Sequence, residues 1–437
     1  MDTDEITTPE RDAKGARLTR RQVLIAGSAA ALAACAPGGG GGTASPTAAA
    51  TGAATAAATA AATPAPALKI GMLLPFTKVY AELGASQKRA ADLYVKQQGG
   101  KLANRTVQFV YEDEANDPQV GLQKTQKFIE QDQVDLMMGI IATPIAYAIR
   151  NTVDQAKMIY IGTNAGGNAM TRETTDCKPT CKSKYVFRTS FSAWQVSYPL
   201  GEWLSRKPET KEFFLCFSNY GFGTESAAAF IEGLAKNGGK ETGRVAPPLG
   251  NADFVPFVTQ IKAQATKNVY SFFSGTDAIG YIRAWNQLGM PAAGYKMYGA
   301  GFLTEQDVLK EVKEQANGAI TSLFWSVDLD NAENKAFREV YQKEYSLLPD
   351  VFAVQMWDGM KALDEALKKT SGNTKDKDAL IAALEGVSFK SPRGDFSFDK
   401  STHNVIHDIY IREVKTTGGQ TVNTVLDKFG KVTDPGK

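Results

Sequence analysis

The sequence predicts an α/β protein of two lobes, each built on a largely parallel sheet covered by helices. Short apolar runs alternate with helical segments from residue 68 to residue 161, and a similar alternation starts again at residue 212. Strands that are apolar throughout indicate parallel sheets with both faces covered. The stretch from Leu68 to Lys437 holds about 370 residues, which is too long for one ordinary core and suits two.

The first lobe follows the order βαβαβαβ. Its opening strand, 68–74, stops before Pro75, and its first helix, 84–98, stops before a pair of glycines. Apolar runs predict further strands, and segments with apolar residues three and four apart predict further helices. These strands are 106–111, 134–139 and 158–161, and these helices are 118–131 and 144–156.

The second lobe repeats the pattern, and we expect a sheet of the same kind. The same signals predict its elements, and three helices precede the last strand. The predicted strands of this lobe are 212–217 and 269–273, and its predicted helices are 225–236, 254–264 and 278–288. Beyond them the sequence predicts strands at 318–324 and 408–414 and helices at 331–346, 352–369 and 377–384.

The amino-terminal region predicts export and a membrane tether. A twin-arginine pattern at residues 19–24 precedes an apolar run, 23–34, that is too short to span a bilayer. Small residues then lead into Cys35, as in a bacterial lipoprotein cleavage site, so we expect a signal peptide over 1–34 and a lipid on Cys35. Cleavage at an Ala-x-Ala site, leaving a soluble exported protein, stays open. The uncharged Gly, Ala, Thr, Ser and Pro residues of 35–67 predict a flexible linker to a body on the extracytoplasmic face of the cytoplasmic membrane, in the periplasm or at the cell surface.

Charge and cysteine content narrow the classes of partner. The net charge of +2 gives no field that would recruit nucleic acid. In an oxidising compartment we expect Cys177 and Cys181 to form a local disulfide, and Cys216, in an apolar run, to be a buried thiol. A metal site is the rival for the cysteine pair, but the chain has only two histidines. These are His403 and His407, in a strand-like segment, so we expect no metal and no cofactor.

Six short motifs follow one another along the body. They are Lys69-Ile70-Gly71-x-Leu73-Leu74-Pro75 ahead of Gly84, Glu112-Asp113 ahead of Pro118, Val134-Asp135 with Gly139, Phe187-Arg188-Thr189, Tyr220-Gly221-x-Gly223, and Phe352-Ala353-Val354-Gln355. In this order and spacing they resemble the periplasmic solute receptors typified by the leucine/isoleucine/valine-binding proteins of ABC importers. The resemblance implies the periplasmic binding protein type I fold: two Rossmann-like lobes joined by three crossovers near Arg188, Leu323 and Ser397, with ligand in the cleft between them.

The resemblance also implies the lobe boundaries and the partners. Lobe 1 would comprise 68–188 and 324–396, and lobe 2 would comprise 189–323 and 397–437. We expect a monomer that binds a small molecule by hinge closure and presents it to ABC permease and ATPase subunits.

Candidate ligand-binding residues follow the strands, because ligands of open α/β sheets bind beyond the carboxyl ends of the strands. Thr143 is expected to cap a helix with Pro144 in its first turn, which would leave amides free for a carboxylate. Plain capping, a connecting turn or a surface loop are the alternative roles for these positions. The first-lobe candidates are Thr77, Tyr80, Ala142, Thr143, Thr163 and Asn164.

The second lobe is expected to close on the ligand with aromatic side chains. Ordinary core packing is the alternative role for each of these aromatics, and helix capping is the alternative for Asp277. The second-lobe candidates are Phe191, Trp194, Tyr220, Asp277, Gly301 and Phe302.

One departure from the family bears on the ligand. Amino-acid receptors of this kind carry an acid near the segment after Tyr298 that holds the ammonium, but here the segment is Gly299-Ala300-Gly301-Phe302. We therefore expect an aromatic or otherwise apolar carboxylate, or a small amide, with its acid on the Thr143 side. A branched-chain amino acid stays as an alternative. The aromatic candidates around the cleft are Tyr80, Tyr147, Trp194, Phe222, Phe302 and Trp325.

Two other classes of function are alternatives to solute binding. An enzyme is disfavoured because the sequence has no Gly-x-Ser-x-Gly elbow, no phosphate-binding loop and no zinc-protease helix. A receptor that reports its ligand to a membrane kinase would share the tether and the fold, and it stays open.

Overall fold

The computed structural model of the protein describes residues 66–172 and 182–436. The predicted signal peptide, Cys35, the linker up to residue 65 and the predicted Cys177–Cys181 disulfide lie outside the described residues. Within them the predicted fold class is confirmed, because two sheets, each covered by helices, form two α/β lobes. The predicted residue boundaries of the lobes stay a prediction.

The first lobe holds a six-stranded sheet whose strands, except in one pair, run parallel. Its strands are β1 (Leu68–Leu74), β2 (Lys101–Leu102), β3 (Arg105–Asp113), β4 (Leu136–Gly139), β5 (Tyr160–Gly162) and β6 (Val186–Arg188), and its first helices are α1 (Ala81–Gln97), α2 (Pro118–Lys127) and α3 (Thr143–Gln155). The strand order is β2-β3-β1-β4-β5-β6, and only β2 and β3 pair antiparallel. Apolar β1 lies buried between β3 and β4, so the carboxyl ends of β1, β4 and β5 meet at one edge of the sheet.

The second lobe holds a nine-stranded sheet among the described residues, and it is mixed. Its strands are β7 (Glu212–Phe217), β8 (Lys240–Val245), β9 (Asn268–Phe272), β10 (Lys296–Ala300), β11 (Ile320–Leu323), β12 (Ser388–Ser391), β13 (Gly394–Phe398), β14 (Val405–Thr417) and β15 (Gln420–Val432), and its helices are α4 (Ala193–Ser205), α5 (Gly221–Ala235), α6 (Val255–Lys262), α7 (Thr276–Gln287) and α8 (Gln306–Val312). The order is β12-β13-β14-β11-β10-β9-β7-β8, with β15 paired to β14. Strands β7 to β11 are parallel, but β11 to β15 add antiparallel pairs, so the expectation of a second sheet like the first was wrong at this side.

Three helices connect β11 to β12. They are α9 (Ala332–Tyr345), α10 (Val351–Lys369) and α11 (Lys377–Glu385). The long helix α10 packs on α1 of the first lobe, and the carboxylate of Asp350 caps it by accepting the N–H of Ala353 at 2.9 Å. No helix among the described residues combines the length and the apolar character needed to cross a bilayer.

The connections between the lobes meet at Arg188. This buried residue ends β6 and forms a parallel bridge with Asn404, just before β14. Its Nε donates to Oδ1 of Asn404 at 2.6 Å, and its Nη1 donates to the carbonyl of Gly167 at 2.6 Å. The guanidinium therefore ties two of the inter-lobe segments to the loop that follows β5.

The amino end of β1 is held at the sheet edge opposite the carboxyl ends of the strands. Nε of Arg105 donates to the carbonyl of Pro66 at 3.0 Å, and its Nη2 donates to the carbonyl of Ala67 at 3.0 Å. The same Nη2 pairs with Asp135 at 2.9 Å, and Asp135 also accepts the N–H of Lys69 at 2.9 Å. Hydrogen bonds thus fix the chain to the first-lobe sheet from Pro66, the first described residue.

Cys216 lies in β7 and is a free, fully buried thiol, as the sequence predicts. Burial raises the pKa of this thiol because the charged thiolate would lose its water. The side chain therefore packs in the core as a small apolar group.

Candidate ligand-binding site

A narrow cleft lies between the lobes, beyond the carboxyl ends of the first-lobe strands. Both lobes contribute to its wall, which carries no charged side chain among the described residues. The lining residues are Tyr80, Leu83, Ile141, Thr143, Asn164, Gly166, Phe191, Tyr220, Phe222, Phe272, Ser274 and Phe302.

Four phenylalanines form an aromatic wall on the second-lobe side. The ring centroids of Phe191 and Phe302 are 4.8 Å apart, and those of Phe222 and Phe272 are 4.6 Å apart. Phe222 also meets Phe191 edge to face at 5.6 Å. Such offset and edge-to-face contacts stabilise aromatic clusters and offer a planar ligand faces and edges to pack against.

Two tyrosine hydroxyls meet across the cleft. The hydroxyl oxygens of Tyr80 and Tyr220 are 3.1 Å apart, and one donates to the other. Burial is the largest cause that raises the pKa of both phenols, because a phenolate ion would lose its water here. The pKa of Tyr80 is raised well above the ordinary value for tyrosine. Both groups therefore keep their protons at neutral pH and can donate to an anion.

Helix α3 opens the first-lobe side of the cleft. It begins at Thr143 with Ala142 as the N-cap, and no side chain caps it, so the expected capping by Thr143 was wrong. Thr143 is the first residue of the helix, one position past the cap. In the turn before it, Ile140 has a positive φ of 65° and its N–H donates to the carbonyl of Leu73 at 2.7 Å. A β-branched residue in this region is strained, and such strain is concentrated at functional sites.

Glu114 occupies the amides at this turn. Its two carboxylate oxygens accept the N–H groups of Ile141 and Ala142, each at 3.2 Å. Burial raises the pKa of Glu114 to about 8, although the two backbone hydrogen bonds oppose the shift. Sequence reasoning missed this residue, because its partners lie 27 and 28 positions away.

Asn164 follows β5 and faces the cleft beside this turn. Its Nδ2 donates to the carbonyl of Ile141 at 3.2 Å. Its Oδ1 is buried and has no hydrogen-bond partner among the described residues. Asn164 thus provides the cleft with a buried hydrogen-bond acceptor that no donor among the described residues satisfies.

The lobes touch outside the cleft as well. The hydroxyl of Tyr147 in α3 donates to Oε1 of Glu225 in α5 at 2.6 Å, and the N–H of Asn168 donates to the other oxygen of the same carboxylate. Burial raises the pKa of Glu225, while these hydrogen bonds lower it.

A methyl carbon placed on Gly166 would lie 2.2 Å from Cε2 of Phe191, so only glycine allows this approach.

Half of the predicted ligand-binding residues come together in the cleft. Phe222, considered with them, also lines it, whereas Leu83, Ile141, Phe272 and Ser274 were not predicted. Phe272 lies near the carboxyl end of the predicted strand 269–273, and Ser274 directly follows it. The rule that ligands bind beyond strand ends could therefore have indicated both residues. The predicted residues that line the cleft are Tyr80, Thr143, Asn164, Phe191, Tyr220 and Phe302.

The other first-lobe candidates turn away from the cleft. The exposed hydroxyl of Thr77 donates to Asp113 at 2.8 Å. The buried hydroxyl of Thr163 donates to Gln87 at 2.7 Å, behind the lining side chains. Ala142 contributes the amide that Glu114 accepts. Their direct role in binding stays a prediction.

The remaining second-lobe candidates have partners of their own. Trp194 stacks on Tyr198, and its Nε1 donates to Glu232 at 3.2 Å. The carboxylate of Asp277 accepts the N–H of Gly250 at 2.9 Å and lines a separate opening between the lobes. The carbonyl of Gly301 accepts from Arg412 at 3.1 Å.

Comparisons with known proteins fit this geometry. Residues 67–420 match a family described as periplasmic binding protein. Among curated relatives, the Leu/Ile/Val-binding protein homolog 6 of Brucella melitensis is 29% identical over 377 residues, which cover 85% of this chain and 94% of that protein.

Solved structures give a second comparison. The solute binding protein of an ABC transporter from Rhodopseudomonas palustris BisB5, in complex with 3,4-dihydroxy benzoic acid, is 31% identical, with a TM-score of 0.80 over 85% of this chain and 99% of that chain. Another R. palustris solute binding protein, in complex with benzoate, is 32% identical, with a TM-score of 0.77 over 83% and 98%. A third, from R. palustris HaA2 with p-hydroxybenzoic acid, is 29% identical, with a TM-score of 0.79 over 85% and 99%.

Proposed function

This chain belongs to the periplasmic binding protein family, and we propose that it is the solute-binding protein of an ABC importer with an aromatic carboxylate as its ligand. The observation that carries the proposal is the uncharged cleft, with phenylalanines on one side and tyrosine hydroxyls across it. The ring of the ligand would pack among the phenylalanines. Its carboxylate would accept hydrogen bonds from the protonated hydroxyls of Tyr80 and Tyr220.

The same cleft disfavours an amino acid. A buried ammonium needs a carboxylate partner, because an unpaired buried charge is costly. No acidic side chain lines the cleft among the described residues. Glu114, which contacts the amide of the lining residue Ile141, is engaged with two backbone amides. Glu305, three positions after Phe302, pairs with Arg412 at 2.7 Å and accepts the N–H of Val351 at 3.1 Å. An aromatic monocarboxylate carries no ammonium and avoids this cost.

The related proteins support this choice unevenly. Three solved relatives at 29 to 32% identity were crystallised with benzoate or hydroxybenzoates. The curated relatives carry names of leucine, isoleucine and valine binding, and the first of them is 29% identical to this chain. The uncharged, phenylalanine-lined cleft favours the aromatic acids.

The proposed cycle is hinge closure followed by delivery. Ligand would bind to one lobe of an open form, and closure would form contacts such as Tyr147 to Glu225 and bury the ligand. The closed form would then dock on permease and ATPase subunits. The protein would act outside the cytoplasmic membrane, held there by a lipid on Cys35. Replacing Cys35 with serine should release it from membranes, and a variant that stays membrane-bound would refute the anchor.

Calorimetry on the purified protein tests the ligand class. Benzoate and 4-hydroxybenzoate should bind and raise the melting temperature, because a ligand of the folded state stabilises it. Benzyl alcohol, which keeps the ring, and cyclohexanecarboxylate, which keeps the acid, should each bind more weakly than benzoate. Leucine and valine should have no effect. Tighter binding of leucine than of benzoate would overturn the proposal.

A further inference from the structure

The orientation of the Asn164 amide is fixed by the backbone. Its Nδ2 lies 3.2 Å from the carbonyl oxygen of Ile141. The flipped amide would set two acceptors against each other at that distance, so the oxygen must point the other way. The protein thus presents an acceptor, and not a donor, at this position of the cleft.

This acceptor has no partner among the described residues although it is buried. Asn164 is only 7% exposed and lines the cleft, and its Oδ1 forms no hydrogen bond. Buried polar atoms are nearly always satisfied, and an unsatisfied one destabilises the folded state. A donor on the ligand is the partner that the cleft can receive at this atom.

The carboxylate of the ligand cannot supply that partner. An ionised carboxylate only accepts hydrogen bonds, so it would repel Oδ1 of Asn164. The nearby amides of Ile141 and Ala142, which could have held an anion, already donate to Glu114. The tyrosine hydroxyls of Tyr80 and Tyr220 are donors. We therefore place the acid at the tyrosines, whereas the sequence predicted it on the Thr143 side.

We propose that Asn164 selects aromatic carboxylates that bear a ring hydroxyl, by accepting a hydrogen bond from that hydroxyl at Oδ1. Benzoate, which has no ring hydroxyl, would leave this acceptor unpaired. The inference rests on the proposed function, since it names a subclass of the proposed ligands. Selection of this kind follows from the unpaired polar group and needs no change in the shape of the cleft.

The first test uses the unaltered protein. Affinities are measured by calorimetry for benzoate and for the 3-hydroxy, 4-hydroxy, 3-fluoro and 4-fluoro benzoates. Fluorine is close to a hydroxyl in size but cannot donate. At one ring position the hydroxyl compound should bind about ten-fold tighter than both its fluoro counterpart and benzoate. Equal affinities at both positions would overturn the inference.

The second test uses variants and reads out a ratio. In Asn164→Leu, which has a similar size and no acceptor, the ratio of benzoate to hydroxybenzoate dissociation constants should fall from about ten to about one. Asn164→Ala is the second variant in case leucine disturbs the fold, which thermal melting checks. Ser274→Ala is the control, because it removes another lining hydroxyl and should shift both ligands alike.

The outcomes separate the two proposals. If no aromatic carboxylate binds, the proposed function fails, and this inference fails with it. If benzoate binds but the ratio is unchanged in both Asn164 variants, the selection by Asn164 is wrong and the proposed function stands. Loss of the ratio in the Asn164 variants together with its retention in Ser274→Ala supports the inference.

Discussion

Gly166 gives the sharpest prediction about lobe closure. It lies in the loop after β5, and a methyl carbon at this position would lie 2.2 Å from Cε2 of Phe191 and 2.5 Å from Cε2 of Phe222. Neither ring is free to retreat, because Phe191 packs on Phe302 and Phe222 packs on Phe272, with centroids 4.8 and 4.6 Å apart. The Gly166→Ala substitution should therefore oppose the closed arrangement.

The size of the effect follows from the overlap. Carbon atoms pack best at about 3.5 to 4.0 Å, so the nearer ring would have to move by roughly 1.3 Å. Overpacking of this kind costs about 1 to 3 kcal/mol. If the closed form alone bears that cost, the affinity for ligand should fall by a factor between about 5 and about 150.

The assay is calorimetric titration with benzoate, together with small-angle scattering with and without saturating ligand. Gly221→Ala is the matched control. A methyl carbon there would lie 3.5 Å from Thr143 Cγ2 and 3.6 Å from Tyr147 Cε2, which is ordinary contact across the same lobe interface. This variant should bind as the unaltered protein does. Equal affinity and equal compaction for Gly166→Ala, or an equal loss for both variants, would refute the reasoning.

Three further predictions concern buried polar groups. Tyr147→Phe removes the 2.6 Å hydrogen bond to Glu225, so benzoate should bind about ten-fold more weakly in calorimetry, and unchanged affinity would contradict this. Arg393→Met strands the fully buried carboxylate of Asp358, 2.7 Å away, and urea unfolding should show a loss of about 3 to 5 kcal/mol, with a loss below about 1 counting against it. Burial raises the pKa of Glu114 to about 8, so the folded protein keeps a proton that the unfolded chain releases near pH 4.3. The stability that this proton contributes is fully present below about pH 4.3 and is lost as the pH rises through 8. The Glu114→Gln substitution, which removes the titrating group, should therefore flatten the decline in melting temperature from about pH 5 to about pH 8. Parallel curves of melting temperature against pH for the variant and the unaltered protein would contradict this prediction.

Most strands of the parallel core could be predicted because buried strands leave apolar runs in the sequence. Two short, buried parallel strands, β6 (Val186–Arg188) and β10 (Lys296–Ala300), were not predicted. Strand β8 (Lys240–Val245) and strand β15 (Gln420–Val432) were missed, since they lie at the sides of the sheet, expose many of their side chains and are rich in polar residues. Helix α4 was missed although Ser192 and Gln195 form a capping box, because Pro199 interrupts its pattern. Edge strands and interrupted helices are stabilised by tertiary contacts that no local window contains.

The sequence predicted where in the fold the cleft lies, but it did not predict which way each candidate side chain points. Placing ligands at strand ends correctly brought Asn164 to the cleft. Its neighbour Thr163 points away, to Gln87, because successive residues of an extended chain face opposite sides. Trp194 lies in the first turn of α4, and its direction depends on the phase of a helix that was not predicted. The engagement of Glu114 depends on a fold-level contact and could not be inferred from spacing.

Arg105 has a mechanical consequence for a protein that would be tethered at its amino end. A pull on the chain upstream of Pro66 would meet this guanidinium first, through the carbonyls of Pro66 and Ala67 at 3.0 Å. The load would then pass along β1 into its ladders with β3 and β4, which resist in shear because the strands run parallel to the force. That strain would enter at the sheet edge remote from the cleft. In a tethered protein, a force on the amino-terminal segment would therefore not act directly on the cleft.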